Sequence, residues 1–357
     1  MNKKLVLYSH SVNSSFVRKD LVLLEREYNV KKFFFDPKRK WLVPYQFICQ
    51  LFFLLINLRS SSLLITQFGG YQSFLPSLLG KVFSRPSLII LGGSDCVSFP
   101  SINYGNFNRP LLKTLTRWSY EMVTHLSPVH KSLVRSKYTY TDDDYPEQGY
   151  EVFCPKVTAE YTELHYGYDH NLFTFGKERI PNSFITVGYL NSANYYRKGI
   201  DLIIELAIRQ PILKFTIVGG GIDDIPVDDV PKNVQFLKSV SYEELTALYA
   251  SHEYYFQLSL CEGFPSAICE AMLCGCIPIG SDVAAISEII GDTGFVLSYK
   301  SSNHLDGLIE KALQIDKTKG ALSARHRIIE KYPINEREKL LTLCARIIKE
   351  GVKKKKI

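Results

Sequence analysis

Two glutamates have the strongest chemical claim in this chain: Glu262 and Glu270, in the stretch LCEGFPSAICEAMLCGCIPIG, Leu260 to Gly280. The packing face of a helix has no use for a carboxylate at either position. The apolar run EYYFQLSL delivers the chain to Glu262, and the residues after it predict a helix from Ser266 to Gly275 with Ser266 as its N-cap. A strand, loop and helix in that order aim free backbone N–H groups and the positive helix end at the loop, which suits a phosphate. Gly263 lets a ligand approach the backbone, and Pro265, after Phe264, stiffens the turn. Glu270, in the first turns of the helix, is placed to accept hydrogen bonds from a sugar diol. Either glutamate alone is ordinary. On one strand–loop–helix they outline a site for a phosphorylated sugar.

A second element points the same way. The tripeptide Arg197-Lys198-Gly199 stands between the strand candidate SFITVGYL and the helix candidate KGIDLIIELAIRQ. Two cations at a helix N-terminus oppose the helix dipole unless an anion such as a diphosphate neutralises them; solvated surface cations are the plainer alternative. Gly188 closes the first of these strands, and Gly219 and Gly220 follow the strand KFTIV, where they either admit a ligand or serve the turn. Asp142 and Asp144 form a D-x-D pair of the kind that can hold a metal diphosphate. They follow no buried strand and read as a solvated loop, so no metal site is expected. His125, inside MVTHLS, reads as a core histidine.

The elements that must position these residues alternate. Short apolar runs (KLVLY, VKKFFF, LLITQF, SLIILGG) are separated by helix candidates at about Ser14–Tyr28, Trp41–Leu58 and Tyr71–Phe83, and the rhythm restarts after Asn182. Such alternation predicts α/β folding around parallel sheets. With 357 residues and a prior of ~150 per domain, two domains are expected, 1–175 and 176–334, followed by a final helix at about 335–357. Hydrophobic residues make up 46% of the chain and charged residues 22%, which excludes wholesale disorder. Eight cysteines without a C-x-x-C pair read as reduced core thiols of a cytoplasmic protein. The net charge of +7 is too small, without a recognisable reading element, for a nucleic-acid binder.

The ordered set VGYL…RKGIDLIIELA, FTIVGGG, VQFLKSVSYEELTALYASHEYYFQLSLCEGFPSAICEAMLCGCIPIGSDVAAISEII and GFVL resembles the donor-binding half of the family 4 retaining glycosyltransferases. The match runs over about residues 182 to 297, and the E-x7-E spacing of Glu262 and Glu270 is that family's signature. LHYGYDHNLF, Leu164 to Phe173, also resembles the segment that closes the first domain there. The resemblance implies a GT-B architecture: two Rossmann-like domains facing a cleft, the last helix crossing back to the first. It implies a nucleotide-diphosphate sugar as donor substrate, no cofactor, no metal, and retention of configuration. By position Glu270 would bind the ribose, Glu262 and the backbone of Gly263 to Ser266 the transferred sugar, and Lys198 with Arg197 the departing diphosphate. Two departures stand out. Tyr189 follows Gly188 where many relatives have Arg, and SHSVNSSFV replaces a Gly-Gly loop after the first strand, leaving His10, Asn13 and Ser14 as acceptor-side polar contacts.

On the acceptor side, LGGSDCVSFP leaves a buried strand and presents Asp95 as a candidate for acceptor binding or proton acceptance, a structural turn aspartate being the alternative. A glycan or lipid-linked glycan is the expected acceptor, as in bacterial surface polysaccharide assembly. The competing classes are a sugar-nucleotide epimerase, for which no acid/base pair is visible, and a non-catalytic binding subunit. Trp41 to Leu58 carries no charge and approaches the length of a membrane span, but Pro44, Gln46, Gln50 and Asn57 favour a helix buried against a sheet with one face free. With Lys31 to Lys40 and the terminal run Lys353 to Lys356, it fits peripheral docking on an anionic inner leaflet.

Overall fold

The run Leu5–Tyr8 opens strand β1 (Leu5–His10), whose Val6, Leu7 and Tyr8 are buried, as a parallel strand covered on both faces requires. Helix α1 (Ser15–Glu27), β2 (Asn29–Phe34), α2 (Val43–Leu58), β3 (Ser61–Gln67), α3 (Tyr71–Val82), β4 (Ser87–Leu91), α4 (Pro110–Met122) and β5 (His125–Pro128) follow in alternation. A hairpin of β6 (Ser136–Lys137) and β7 (Glu147–Gln148), a short α5 (Tyr150–Phe153) and β8 (Glu160–Tyr161) complete this part. The computed structural model describes residues 3–226 and 230–354. It divides into two units: Met1–Lys137 with Glu147–Tyr166 and Asn335–Ile357, and Tyr138–Pro146 with Gly167–Ile334.

The first unit holds a six-stranded parallel sheet in the order β2-β1-β3-β4-β5-β8. Leu54, Leu58 and Leu79 of α2 and α3 pack on Leu7 and Leu64 from one face. Leu21 and Leu24 of α1, with Leu340, Leu343 and Ile347 of the C-terminal helix (Lys339–Lys354), pack on Val6, Tyr8 and Ile65 from the other. That last helix begins later than its amphipathic pattern suggests, because Ile334–Glu338 forms a 3-10 turn that aims Arg337 inward. Arg337 donates from Nε and Nη2 to the two carboxylate oxygens of Asp20 at 2.7 and 2.6 Å, and from Nη1 to the Leu164 carbonyl at 2.8 Å. The basic run Lys353–Lys356 extends outside the described residues, and nothing of its charge is placed.

The second unit is built from β9 (Ile180–Val187), α6 (Ser192–Arg197), α7 (Ile200–Arg209), β10 (Lys214–Val218), β11 (Val234–Leu237), α8 (Tyr242–Ser251), β12 (His252–Gln257), α9 (Ser266–Leu273), β13 (Ile277–Ser281), α10 (Ile286–Ile290), β14 (Phe295–Leu297), α11 (Ser302–Gln314) and α12 (Lys317–Lys331). Its parallel sheet runs β11-β10-β9-β12-β13-β14. Phe184 at its centre stacks on Phe215, Tyr254 and Phe256 at 4.8–5.4 Å between ring centroids. Helix α8 starts at a capping box, Ser241 against Glu244, in the S-x-x-E pattern that signals one. Helices α11 and α12, to which the sequence reading assigns no element, start at the side-chain caps Ser301 and Asp316. The eight cysteines are unpaired, and all but Cys49 are buried.

Each sheet reverses its winding once, between β1 and β3 in the first unit and between β9 and β12 in the second. The loops leaving the carboxyl ends of strands at such a reversal are where open α/β sheets bind ligands.

The Asp20–Arg337 pair is the internal lock of the first unit, with side chains only 1% and 9% exposed. Removing one partner strands the other charge in the core. Asp20→Ala is therefore expected to cost about 3–5 kcal/mol, while Asp20→Leu combined with Arg337→Met costs far less. Urea titrations of the variants measure both.

Candidate functional site

In the second unit β9 and β12 are hydrogen-bonded neighbours, so the loops that leave them run side by side. The Leu260 amide donates to the Arg197 carbonyl at 2.8 Å and stitches the two loops together. Lys198 Nζ then donates to Glu262 Oε1 at 2.5 Å. The same oxygen accepts from Ser259 Oγ at 2.9 Å and Gln257 Nε2 at 3.3 Å, and Arg197 Nη1 lies 3.9 Å away. Burial pushes the Glu262 carboxyl up, but the Lys198 and Arg197 charges outweigh it and hold the group below its ordinary value. Glu262 is thus a largely buried anion, its side chain 13% exposed, matched by two cations.

The structure corrects the sequence argument about those cations. Helix α6, which that argument did not anticipate, places Arg197 as its last residue and Lys198 as its C-cap, where the dipole favours positive charge. Asn191 caps its start by accepting from the Asn194 amide. The compensating anion is Glu262 itself, so no missing phosphate is needed to explain the pair. Gly199 closes α6 at φ +70°, and a Cβ there would lie 2.3 Å from the Leu258 carbonyl oxygen.

Around this pair the expected loop residues fall into two roles. The stem of Lys198 lies over Gly188, where a Cβ would sit 3.3 Å from Lys198 Cε. Gly219, at φ +120°, and Gly220 press against Gly188 and Leu190, so these glycines serve the packing of one loop on the next. Gly263, Phe264 and Pro265 are buried, with Phe264 edge-on to Tyr332 at 5.1 Å. Helix α9 starts with Pro265 as N-cap, and Ser266, expected as the cap, is its first residue; the Ser266 hydroxyl accepts from Tyr168 Oη at 3.0 Å. Glu270 follows a turn later and is half-buried. Like any α-helix, α9 leaves first-turn N–H groups without intrahelical partners.

Sequence reasoning missed the residues that hold these in place. Gln257 and Ser259 orient Glu262, and only the S-x-x-E spacing of Ser259 and Glu262 could have signalled it. At the far end of α9, Arg325 donates to the carbonyls of Leu273, Phe173 and His170. Arg179 donates to those of Gly275, Cys274 and Gly176. Both cations sit on the negative helix end, brought there by residues remote in sequence, which no local pattern reveals.

His10, Asn13, Ser14, Asp95 and His125 belong to the first unit. His10 is buried at the end of β1 and donates from Nδ1 to the Val12 carbonyl at 2.9 Å. Asn13 is exposed, and Ser14 caps α1 by position while its buried hydroxyl has no partner among the described residues. Asp95 is 1% exposed. Its carboxylate accepts from the amides of Gly69, Gly92 and Gly93 at 2.9–3.1 Å and from Tyr120 Oη at 3.3 Å. Burial raises it above the usual carboxylate value, the amides only partly offsetting this. The structure assigns Asp95 to the turn alternative: it builds the loop Phe68–Gly70 at the winding reversal, where Phe68 is held at φ +66°. Of the D-x-D acids, which fall in the second unit, Asp142 accepts from Tyr299 Oη at 2.9 Å. His125 is a core residue bonded to Thr162 Oγ1 at 2.9 Å, and burial lowers it to about 4.

Residues 172–332 match the family described as glycosyl transferases group 1. That match lies within the second unit, whose residues are therefore similar to the glycosyl transferases group 1. Over 122 residues the chain is 28% identical to the phosphatidylinositol N-acetylglucosaminyltransferase gpi3 subunit of Schizosaccharomyces pombe, covering 31% of this chain and 26% of that one. Over 129 residues it is 33% identical to O-antigen chain mannosyltransferase B of Escherichia coli, covering 35% and 34%. The chain thus spans between about a quarter and a third of the length of these curated relatives. The crystal structure of Anabaena HepE in complex with UDP and glucose covers 96% of this chain and 100% of its own, with a TM-score of 0.63 at 14% identity. The fold is that of the GT-B glycosyltransferases, each unit a Rossmann-like sheet.

Within the second unit, Lys198→Met leaves Glu262 to the burial penalty. In the native protein the lowered Glu262 value contributes stability above the carboxylate range, lost as pH falls through it. In the variant burial dominates and raises the value, so the charged form is the costly one. The destabilisation is expected to be about 1–3 kcal/mol near neutral pH and to shrink as pH falls through the carboxylate range and Glu262 protonates. Thermal unfolding of both proteins across that range measures the difference.

Proposed function

We propose that this chain is a retaining, metal-independent hexosyltransferase that moves a sugar from a nucleoside-diphosphate sugar to a glycan or lipid-linked glycan in the cytoplasm. The observation that carries the reading is the Lys198–Glu262–Arg197 cluster at the winding reversal of the second sheet, inside the segment that matches the family. Two cations against one carboxylate leave a surplus positive charge, which a diphosphate would take up. Lys198 and Arg197 stabilise that diphosphate as the bond to the anomeric carbon breaks and its charge grows. The new bond forms to an acceptor hydroxyl, whose proton leaves. Glu262 and the loop Gly263–Ser266 position the transferred sugar, and Glu270 anchors the ribose. Retention and the absence of a metal rest on the sequence resemblance. The UDP and glucose in the HepE structure support a nucleotide-sugar donor, and the name of the E. coli relative supports surface-polysaccharide assembly.

Two measurements test this. Among UDP-, GDP-, ADP- and CMP-sugars, one series is expected to raise the thermal midpoint, by the equivalent of about 2.7 kcal/mol at a hundredfold excess over Kd. Glu262→Ala is expected to lower turnover at least about 100-fold with its far-UV circular dichroism unchanged, and native turnover is expected to survive EDTA. Full activity of Glu262→Ala would remove the catalytic assignment, and conversion of the donor without any acceptor would move the chain to the epimerases.

A further inference from the structure

We propose that α2, α3 and α4 of the first unit present a face that seats on a bilayer rich in anionic lipid, with α2 lying in the interfacial plane. Six large apolar residues in and just before α2 are exposed: Trp41 78%, Tyr45 62%, Ile48 54%, Phe52 60%, Leu55 47% and Ile56 76%. Their spacing of three and four puts them on one helix stripe. Monomeric soluble proteins rarely leave so continuous an apolar surface in water.

The opposite stripe is committed to the sheet. Gln50 is fully buried and donates to Ser9 Oγ and to the Gln72 carbonyl. Asn57 accepts from Lys31 Nζ at 2.6 Å, and Gln46 pairs both ways with the Asp36 backbone. Leu54 and Leu58 lie in the core. By length and composition Lys40–Leu58 is apolar enough to cross a membrane, but crossing would strip every one of these bonds. One face bonded and one face apolar fits a helix lying in the interface.

The face continues beyond α2. Phe47 meets Phe74 of α3 at 6.4 Å, and Phe74 meets Trp118 of α4, itself 49% exposed, at 5.9 Å. Charge then selects the occupant. From Asp36 to Met122, the end of α4, the sequence holds nine lysines and arginines against three acids: Asp36, which lies 3.8 Å from Arg39, the buried Asp95, and Glu121. At +6 this stretch carries most of the chain's net charge of +7 in about a quarter of its length. A second copy of the same net-positive face would be repelled, whereas an anionic leaflet supplies both the apolar depth and the opposing charge.

The chain's two tryptophans, Trp41 and Trp118, both lie on this face, so it reports on itself. With the full chain, vesicles of phosphatidylcholine containing about 30% phosphatidylglycerol are expected to cause co-sedimentation, a blue shift of tryptophan emission and quenching by brominated acyl chains. Pure phosphatidylcholine or about 0.5 M salt should weaken binding at least tenfold. Phe52→Ser with Ile56→Ser should weaken it at least tenfold without lowering the urea midpoint. Replacing Lys38, Arg39 and Lys40 by Gln should weaken it about 100-fold, roughly fivefold per charge. Full recovery in the supernatant at low salt overturns the proposal, as does binding indifferent to either set of substitutions. A lipid-free dimer that the Phe52/Ile56 substitutions dissolve overturns it in favour of a second copy. Because the face belongs to the first unit, failure to bind vesicles leaves the donor chemistry standing, and a chain inactive with every sugar nucleotide leaves the face standing.

Discussion

A carboxylate taken out of water must be met by positive charge within a few ångströms, and in the second unit that requirement falls on Glu262. The partner comes from a loop 64 residues earlier, so the pairing holds only if β9 and β12 are neighbours. Much of the local sequence follows from this. Gly199 turns the backbone beneath Lys198, Gly188 makes room for the lysine stem, and Gly219 lets the next loop close against it. Ser259 and Gln257 use the remaining valence of the same carboxylate oxygen. Charge balance, sheet order and glycine placement are here one constraint seen at three scales.

The first unit meets the same physics with a different outcome. Asp95 is also buried near a winding reversal, but backbone amides and a tyrosine hydroxyl surround it where Glu262 has cations. Amides build a rigid loop, while cations create a place where further negative charge is welcome. Two acids that look alike on a strand–loop pattern are separated by the identity of their donors.

That difference marks the limit of what could be read from sequence. Strand–helix alternation, the β1 to β5 runs and the α8 capping box were legible because each rests on neighbours within a few residues. Glu262, Lys198 and Arg197 could be singled out because charge beside an apolar strand is anomalous on its own. What they bond to was not legible: α6 is a single short helix with little periodicity, and Arg179 and Arg325 reach α9 from elements far along the chain. Asp95 lost its expected role for the same reason, since Gly69 and Tyr120 are brought to it only by the packed sheet and helices.

The return of Asn335–Ile357 to the first unit bears on the order in which the protein is made. Val6, Tyr8 and Ile65 wait for Leu340, Leu343 and Ile347, and Asp20 waits for Arg337. The second unit, complete by Ile334, has all its residues before the first has its last helix. Domains ordinarily fold in the order of their emergence from the ribosome. Here the unit that begins first finishes second, and until its final helix arrives the part of one sheet face that α1 leaves open, and one buried carboxylate, have only solvent or a chaperone to cover them.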